Sequence, residues 1–255
     1  MRRAVLFDLD DTLLVDEPEV DACFRRVTAE VDVAAGVEAG TVAASVRAAA
    51  RGVWRASPLA ALARRLGFSS WEGLAADFTG GHPVVEPFRD WAPAYRVCSW
   101  TEGLAEYDAA DRSRDLAYRY RDERRRGYRL FPEALDVLGD LRSAGWRLGI
   151  VTNGPPDLQR DKVRTTGIEE YVDVVVVSGE VGVGKPDRVI FEVALGNLGV
   201  APSAAVMVGD SVERDMKGAH RHGMRTVWRR SSGGVTSWQP AVTSLRELPG
   251  VLEAT

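Results

Sequence analysis

Two kinds of hydrophobic patterning divide the chain. From residue 131 onward, short apolar-rich runs alternate with longer segments in which apolar positions recur every three or four residues. The runs at 146–151, 174–177, 205–208 and 225–228 predict strands buried on both faces, most plainly Val174-Val175-Val176-Val177. Between them, helices are predicted over 132–143, from the break at Thr152-Asn153-Gly154-Pro155-Pro156 to about 166, over 187–198 and over 212–222. A polar loop over 231–240 and a closing helix over 244–253 complete this part. Strands separated by helices of that length imply a parallel sheet covered on both faces. Residues 4–7, all apolar, form one more such strand and complete the sheet from the N-terminus.

The stretch from 18 to 127 reads as helix after helix, without a convincing buried strand. Helices are predicted over 18–33, 41–55, 58–66 and 70–78. Pro83, Pro87 and Pro93 then punctuate the chain, and a long charged helix over 101–126 stops at Gly127. The expected fold class is therefore α/β, a doubly wound Rossmann-like parallel sheet with an inserted all-helical segment. Its expected division is a core of residues 1–15 and 130–255 and a helical insert of residues 16–129. Arg119, Arg121, Arg124, Arg125, Arg126 and Arg129 are expected to form chiefly a solvated face that complements the helix dipole, with one or two able to reach an anionic substrate. Trp54, Trp71, Trp91, Tyr95 and Trp100 are read as core.

Composition narrows this only modestly. A chain of 255 residues can bury a full core, and its net charge of −4, with signs interspersed, leaves no basic footprint for nucleic acid. No apolar run approaches the roughly 18 residues of a membrane span, and the N-terminal run meets Asp8 too soon for a signal peptide. Cys23 and Cys98 are too few for a disulfide framework. A cytoplasmic protein, monomer or homodimer, is expected, with neither nucleic acid nor membrane as partner. Lys162, Lys185 and Lys217 are the sole lysines beside thirty arginines, so each invites a question.

The chemistry gathers just past the strands. The N-terminal strand runs directly into Asp8-Leu9-Asp10-Asp11-Thr12, placing acids where an open α/β sheet forms its crevice. Alternation sends Asp8 and Asp10 to one side, so one can act as nucleophile or metal ligand and the other as proton carrier. Thr152-Asn153-Gly154, just before a helix, offers a hydroxyl, an amide and main-chain N–H groups to phosphate oxygens, or is simply a turn. Lys185 stands between Gly184 and Pro186 directly before a helix start. Asp210 ends a strand and Asp215 follows five residues on. With Asp8 they would make a hard oxygen site suited to Mg²⁺.

The set FDLDDT, VTNG, GKPD and GDSVERD resembles, in order and spacing, the four motifs of the haloacid dehalogenase superfamily of phosphohydrolases. The resemblance covers residues 1–15 and about 130–230, extending to the EVGVGKPD run at 180–187 and to Gly218-Ala219 and Gly223-Met224. The insert looks like the helical cap of subfamily I members. TNG followed by Leu158-Gln159, with EVGVGKPD, is most similar to N-acylneuraminate-9-phosphatase and pyrimidine nucleotidase-like members. The resemblance implies that Asp8 attacks phosphorus to form an aspartyl-phosphate, while Asp10 protonates the leaving alcohol and then activates water. It implies Mg²⁺ held by the Asp8 carboxylate, the Asp10 carbonyl and Asp210, with Asp215 bound directly or through water. Thr152, the N–H of Asn153 and Lys185 would steady the phosphoryl oxygens. The expected activity is hydrolysis of a phosphomonoester of a small metabolite. A β-phosphoglucomutase-like phosphomutase and a non-catalytic protein of the same fold are the alternatives.

Overall fold

The computed structural model describes residues 3–230 and 238–253, so residues 231–237 of the predicted polar loop lie outside the described residues. In chain order the elements are β1 (Ala4–Phe7), α1 (Glu17–Ala35), α2 (Thr41–Ala56), α3 (Ala60–Leu66), α4 (Ser70–Ala75), α5 (Glu86–Leu104), α6 (Ser113–Arg126) and α7 (Ala134–Ser143). There follow β2 (Arg147–Thr152), α8 (Pro156–Thr165), β3 (Val174–Val177), α9 (Ser178–Val181), α10 (Arg188–Leu198), β4 (Ala205–Gly209), α11 (Lys217–Arg221), β5 (Arg225–Arg229), β6 (Ala241–Val242) and α12 (Leu248–Glu253). The strands form one six-stranded sheet in the order β3-β2-β1-β4-β5-β6, parallel throughout. The order reverses at β1, which puts the strand carrying Asp8 at the switch point where such sheets open a crevice.

Alternation along β1 serves two cores. Val5 and Phe7 pack with Leu138, Val163 and Leu248, while Ala4 and Leu6 pack with Ile190, Phe191 and Ala219 on the other face. All four residues of β1 are fully buried, as a central strand covered on both faces requires. Phe7 lies level with Ile150 of β2 and Val208 of β4, and the Asp8 N–H donates to the Val208 carbonyl at 2.9 Å. The three loops that leave these strands therefore start at one height.

Helices α1 to α6 build a third core of their own, joined from below by Leu158 of α8. The chain enters and leaves this helical layer side by side: Val15 N–H bonds the Arg129 carbonyl and Phe131 N–H bonds the Leu13 carbonyl, both at 2.9 Å. Among the described residues, no helix is long and apolar enough to cross a membrane.

The helical layer departs from expectation in two places. Pro87 and Pro93 do not punctuate the chain; both lie within α5. Pro87 sits in the first turn, where its missing N–H has no partner to lose. Pro93 points to solvent, while Phe88, Ala92, Tyr95, Arg96, Ser99 and Trp100 bury one face of the same helix. That burial outweighs the roughly 3 kcal/mol an interior proline costs. The predicted helix over 101–126 is instead the end of α5, two short 3₁₀ turns and α6, broken where Asp108 takes φ 51°. The last predicted helix likewise begins as a 3₁₀ turn, Leu245–Glu247, and β6 was not anticipated.

Candidate active site

The site is assembled from loops at the carboxyl ends of β1, β2 and β4 and the approach to α10. Asp8 leaves β1 with its carboxylate Oδ1 accepting from the Leu9 N–H at 2.7 Å. The next residues turn tightly: the Leu13 and Leu14 N–H groups both reach the Leu9 carbonyl, and Asp11 takes φ 54°. Lys185, almost wholly buried, places Nζ 2.7 Å from Asp8 Oδ1 and 2.7 Å from Asp215 Oδ1. Burial alone would depress that ammonium, but Asp215 and Asp8 together hold it above its ordinary value. Asp215 sits in a π turn, Val212–Met216, and its other oxygen accepts from the Ser211 N–H at 3.0 Å. A Cβ on Gly209 would stand 2.4 Å from the Asp215 carboxyl carbon, so only glycine at the end of β4 lets that acid in.

Asp8, Asp210 and Asp215 bring carboxylate oxygens within 4.8 Å of one another. Burial pushes Asp8 up to about 6, opposed by Lys185 and assisted by Asp215. Burial also pushes Asp210 up to about 8, and there Asp8 and Asp215 add repulsion. Three acids against one lysine leave negative charge that a hard divalent cation relieves, and oxygen donors are what such a cation takes. The residues present fit one. Asp215 already has both oxygens engaged, so Asp8 and Asp210 offer the open carboxylate positions.

Thr152 ends β2 and Asn153 follows it. Asn153 clasps Lys185: its amide donates to the Lys185 carbonyl at 3.0 Å and its oxygen accepts from the Lys185 N–H at 2.7 Å. The Thr152 hydroxyl faces α8 and accepts from Gln159 Nε2 at 2.6 Å. Asp8, Asp10, Asn153, Lys185 and Asp210 border one cavity, whereas Thr152 and Asp215 are fully buried behind it, and Asn153 and Asp215 set Lys185 in place.

Other residues emerge only in three dimensions. Asp10 is gripped on both oxygens: Lys162 Nζ lies 2.7 Å from Oδ1 and Gln159 Nε2 lies 2.9 Å from Oδ2. Its surroundings and Asp16 push Asp10 up, while Lys162 and Gln159 pull it back. Gln159 and Lys162 are three apart on one face of α8, and the rarity of lysine in the chain was the sequence signal for the second. Lys162 also meets Asp16 Oδ1 at 3.2 Å, and Arg124 of α6 pairs with the same carboxylate. Burial would raise Asp16, yet Lys162 and Arg124 hold it below the usual range.

Arg119, Arg126 and Arg129 keep the expected exposed face, whereas Arg121, Arg124 and Arg125 turn toward acids and Arg125 bridges the two layers. Arg121 and Arg125 both pair with Asp77 of the helical layer. Arg125 also reaches Asp157 and Asp161 of α8. Charges at the end of α6 could find partners on α8 only because the fold brings these helices together. Trp71 packs against the helical core, as expected, and also borders the site.

A cavity of about 230 Å³ lies over these groups, lined by Asp8, Asp10, Asn153, Lys185 and Asp210 below and by Ser69, Trp71 and Glu72 of the helical layer above. Ser69 caps α4 and exchanges hydrogen bonds with Glu72, which fixes that carboxylate over the cavity. Burial pushes Glu72 up to about 7. Gly67 passes so close that a Cβ there would lie 2.2 Å from the Asn153 amide nitrogen.

Clustered acids around a buried ammonium, at the crevice of a parallel sheet and beneath an inserted helical layer, define an α/β enzyme built for anionic substrates. The chain belongs to the haloacid dehalogenase-like hydrolases, whose family pattern matches residues 2–223. It is 41% identical to the phosphoserine phosphatase of Thermus thermophilus over 227 residues, 89% of this chain and 88% of that protein. It is 33% identical to the N-acylneuraminate-9-phosphatase of Rattus norvegicus over 178 residues, 66% of this chain and 71% of that one. The similarity expected from the TNG and EVGVGKPD runs is therefore present, beside a longer match to a differently named phosphatase. A crystal structure of a haloacid dehalogenase-family phosphatase from Thermococcus onnurineus superimposes with a TM-score of 0.58 at 27% identity, covering 99% of this chain and 98% of that one.

Proposed function

We propose that this phosphatase hydrolyses phosphomonoesters of small metabolites with Mg²⁺, through a phosphorylated Asp8. The observation that carries the reading is Lys185, held 2.7 Å from both Asp8 and Asp215 at the floor of the cavity. A buried ammonium beside a carboxylate nucleophile neutralises an incoming phosphoryl group, which is the main catalytic task in phosphoryl transfer. Asp8, Asp210 and the Asp10 carbonyl would hold the cation, with Asp215 behind them, and bound Mg²⁺ would supply further charge for the phosphoryl oxygens.

An Asp8 oxygen forms the bond to phosphorus as the ester P–O bond breaks, and Asp10 gives its proton to the departing alcohol oxygen. Asp10, now a carboxylate, takes a proton from the water that displaces Asp8 from phosphorus. The helical layer, which we take as a cap over residues 16–129, contributes Ser69, Trp71 and Glu72 to the leaving-group side and excludes bulk water. A cavity of about 230 Å³ suits a small leaving group. The names of the relatives make phosphoserine and glyceraldehyde 3-phosphate the first esters to try.

The test is phosphate release from a panel of phosphorylated metabolites with Mg²⁺, with EDTA, and with Asp8→Asn. Metal-dependent release that falls below about a thousandth in the variant is expected. Folded protein that releases no phosphate from any ester would reject hydrolysis in favour of phosphomutase or non-catalytic activity.

A further inference from the structure

Asp10 stands in an irregular loop, and its side chain keeps some exposure. Two single bonds separate its carboxylate from the main chain, and a second acid, Asp16, repels it. Left to itself such a group would sample several rotamers. It is instead held by two donors from one helix, each on a different oxygen: Lys162 at 2.7 Å and Gln159 at 2.9 Å. Two bonds to two oxygens fix both the direction and the plane of a carboxylate.

The donors are themselves fixed. Lys162 is about 1% exposed and is shared with Asp16. Gln159 is fully buried, and its Nε2 also reaches the Thr152 hydroxyl at 2.6 Å and the Asn153 carbonyl at 3.0 Å. Neither Gln159 nor Lys162 lines the cavity, so neither is built to touch substrate. A buried lysine and a buried glutamine aimed at one loop carboxylate are costly to maintain for structure alone.

We propose that Gln159 and Lys162 are positioning residues that orient Asp10 for proton transfer to and from the reacting oxygens. The inference rests on the hydrolytic reading above. Lys162 also pairs with Asp16, a carboxylate shared with Arg124 of the helical layer.

The test separates steps by their need for a proton. p-Nitrophenolate leaves without protonation, so its release in the first turnover reports attack by Asp8 alone. Phosphoserine, an alkyl ester, needs Asp10 in that step, and steady turnover of either ester needs it for water. For Lys162→Met and Gln159→Leu the first-turnover release of p-nitrophenolate is expected to stay within about threefold of the parent. Phosphoserine cleavage and steady turnover are expected to fall about 100-fold, the scale of a misplaced catalytic group, with KM little changed. Gln159→Leu keeps every charge in place and decides the matter if Lys162→Met does not fold. A first-turnover fall of equal size for both esters, or no fall in steady turnover, would overturn the inference. Absence of phosphate release by the parent enzyme from every ester would instead overturn the hydrolytic reading, and this inference with it.

Discussion

Asp157, at the start of α8, is one of the points where the helical layer is fastened to the sheet domain. Its Oδ2 accepts from the Asp77 N–H at 2.8 Å and its Oδ1 from the Phe78 N–H at 3.0 Å, and Arg125 of α6 lies 2.9 Å from Oδ2. Hydrogen bonds to a charged acceptor are worth about 1.5–3 kcal/mol each. Asp157→Ala leaves both N–H groups without their acceptor, whereas Arg125 keeps Asp161 and Asp77. The expected loss is therefore about 3–6 kcal/mol, nearly all from the two main-chain bonds. Asp157→Asn keeps one oxygen acceptor and should lose about half as much. For a protein of this length each kcal/mol moves the midpoint by about 2–4 °C, so the alanine variant should melt roughly 10 °C lower. Urea unfolding at fixed pH and calorimetry would measure both variants. A loss below about 1 kcal/mol for alanine, or equal losses for alanine and asparagine, would refute the assignment of this fastening to Asp157.

Two further outcomes follow from the site. Glu72, raised by burial from 4.5 to about 7, favours the folded state fully below its ordinary value, and that contribution disappears as pH rises through 7. Glu72→Gln should match the parent at pH 4 and gain up to roughly 3 kcal/mol over it at pH 8.5 in thermal melts; a gain of the same size at both pH values would rule this out. Gly209→Ala would push a methyl group to 2.4 Å from the Asp215 carboxyl carbon, displacing the acid that holds Lys185. A stability loss of about 1–3 kcal/mol with a collapse of phosphate release is expected, and an alanine variant of full activity would show that Asp215 need not sit there.

Much of the architecture was legible along the chain because its signals are local. Five of the six strands come from short apolar-rich runs, although β5 also carries Arg225, Thr226 and Arg229. The acids and the lysine of the site sit within a few residues of strand ends, so their convergence follows once the sheet is parallel. Asp8, Asp10, Lys185, Asp210 and Asp215 were accessible in this way. The two-residue β6 carries too little pattern to be seen.

What tertiary structure decided was decided by contacts between distant segments. The prolines of α5 argued for breaks, and only the burial of Phe88, Tyr95 and Trp100 against neighbouring helices overrides them. Arg125 of α6 looks like part of a solvated face until α8 supplies Asp157 and Asp161. The scarcity of lysine marks Lys162 and the run after TNG marks Gln159, but neither is linked to Asp10 until the turn after β1 brings it against them, about 150 residues away in the chain. Local composition determines which segments are strands, which are helices and where the reactive acids stand. Which charges are neutralised, and which carboxylate is held in which direction, depends on pairings between elements whose separation in sequence has no period to read.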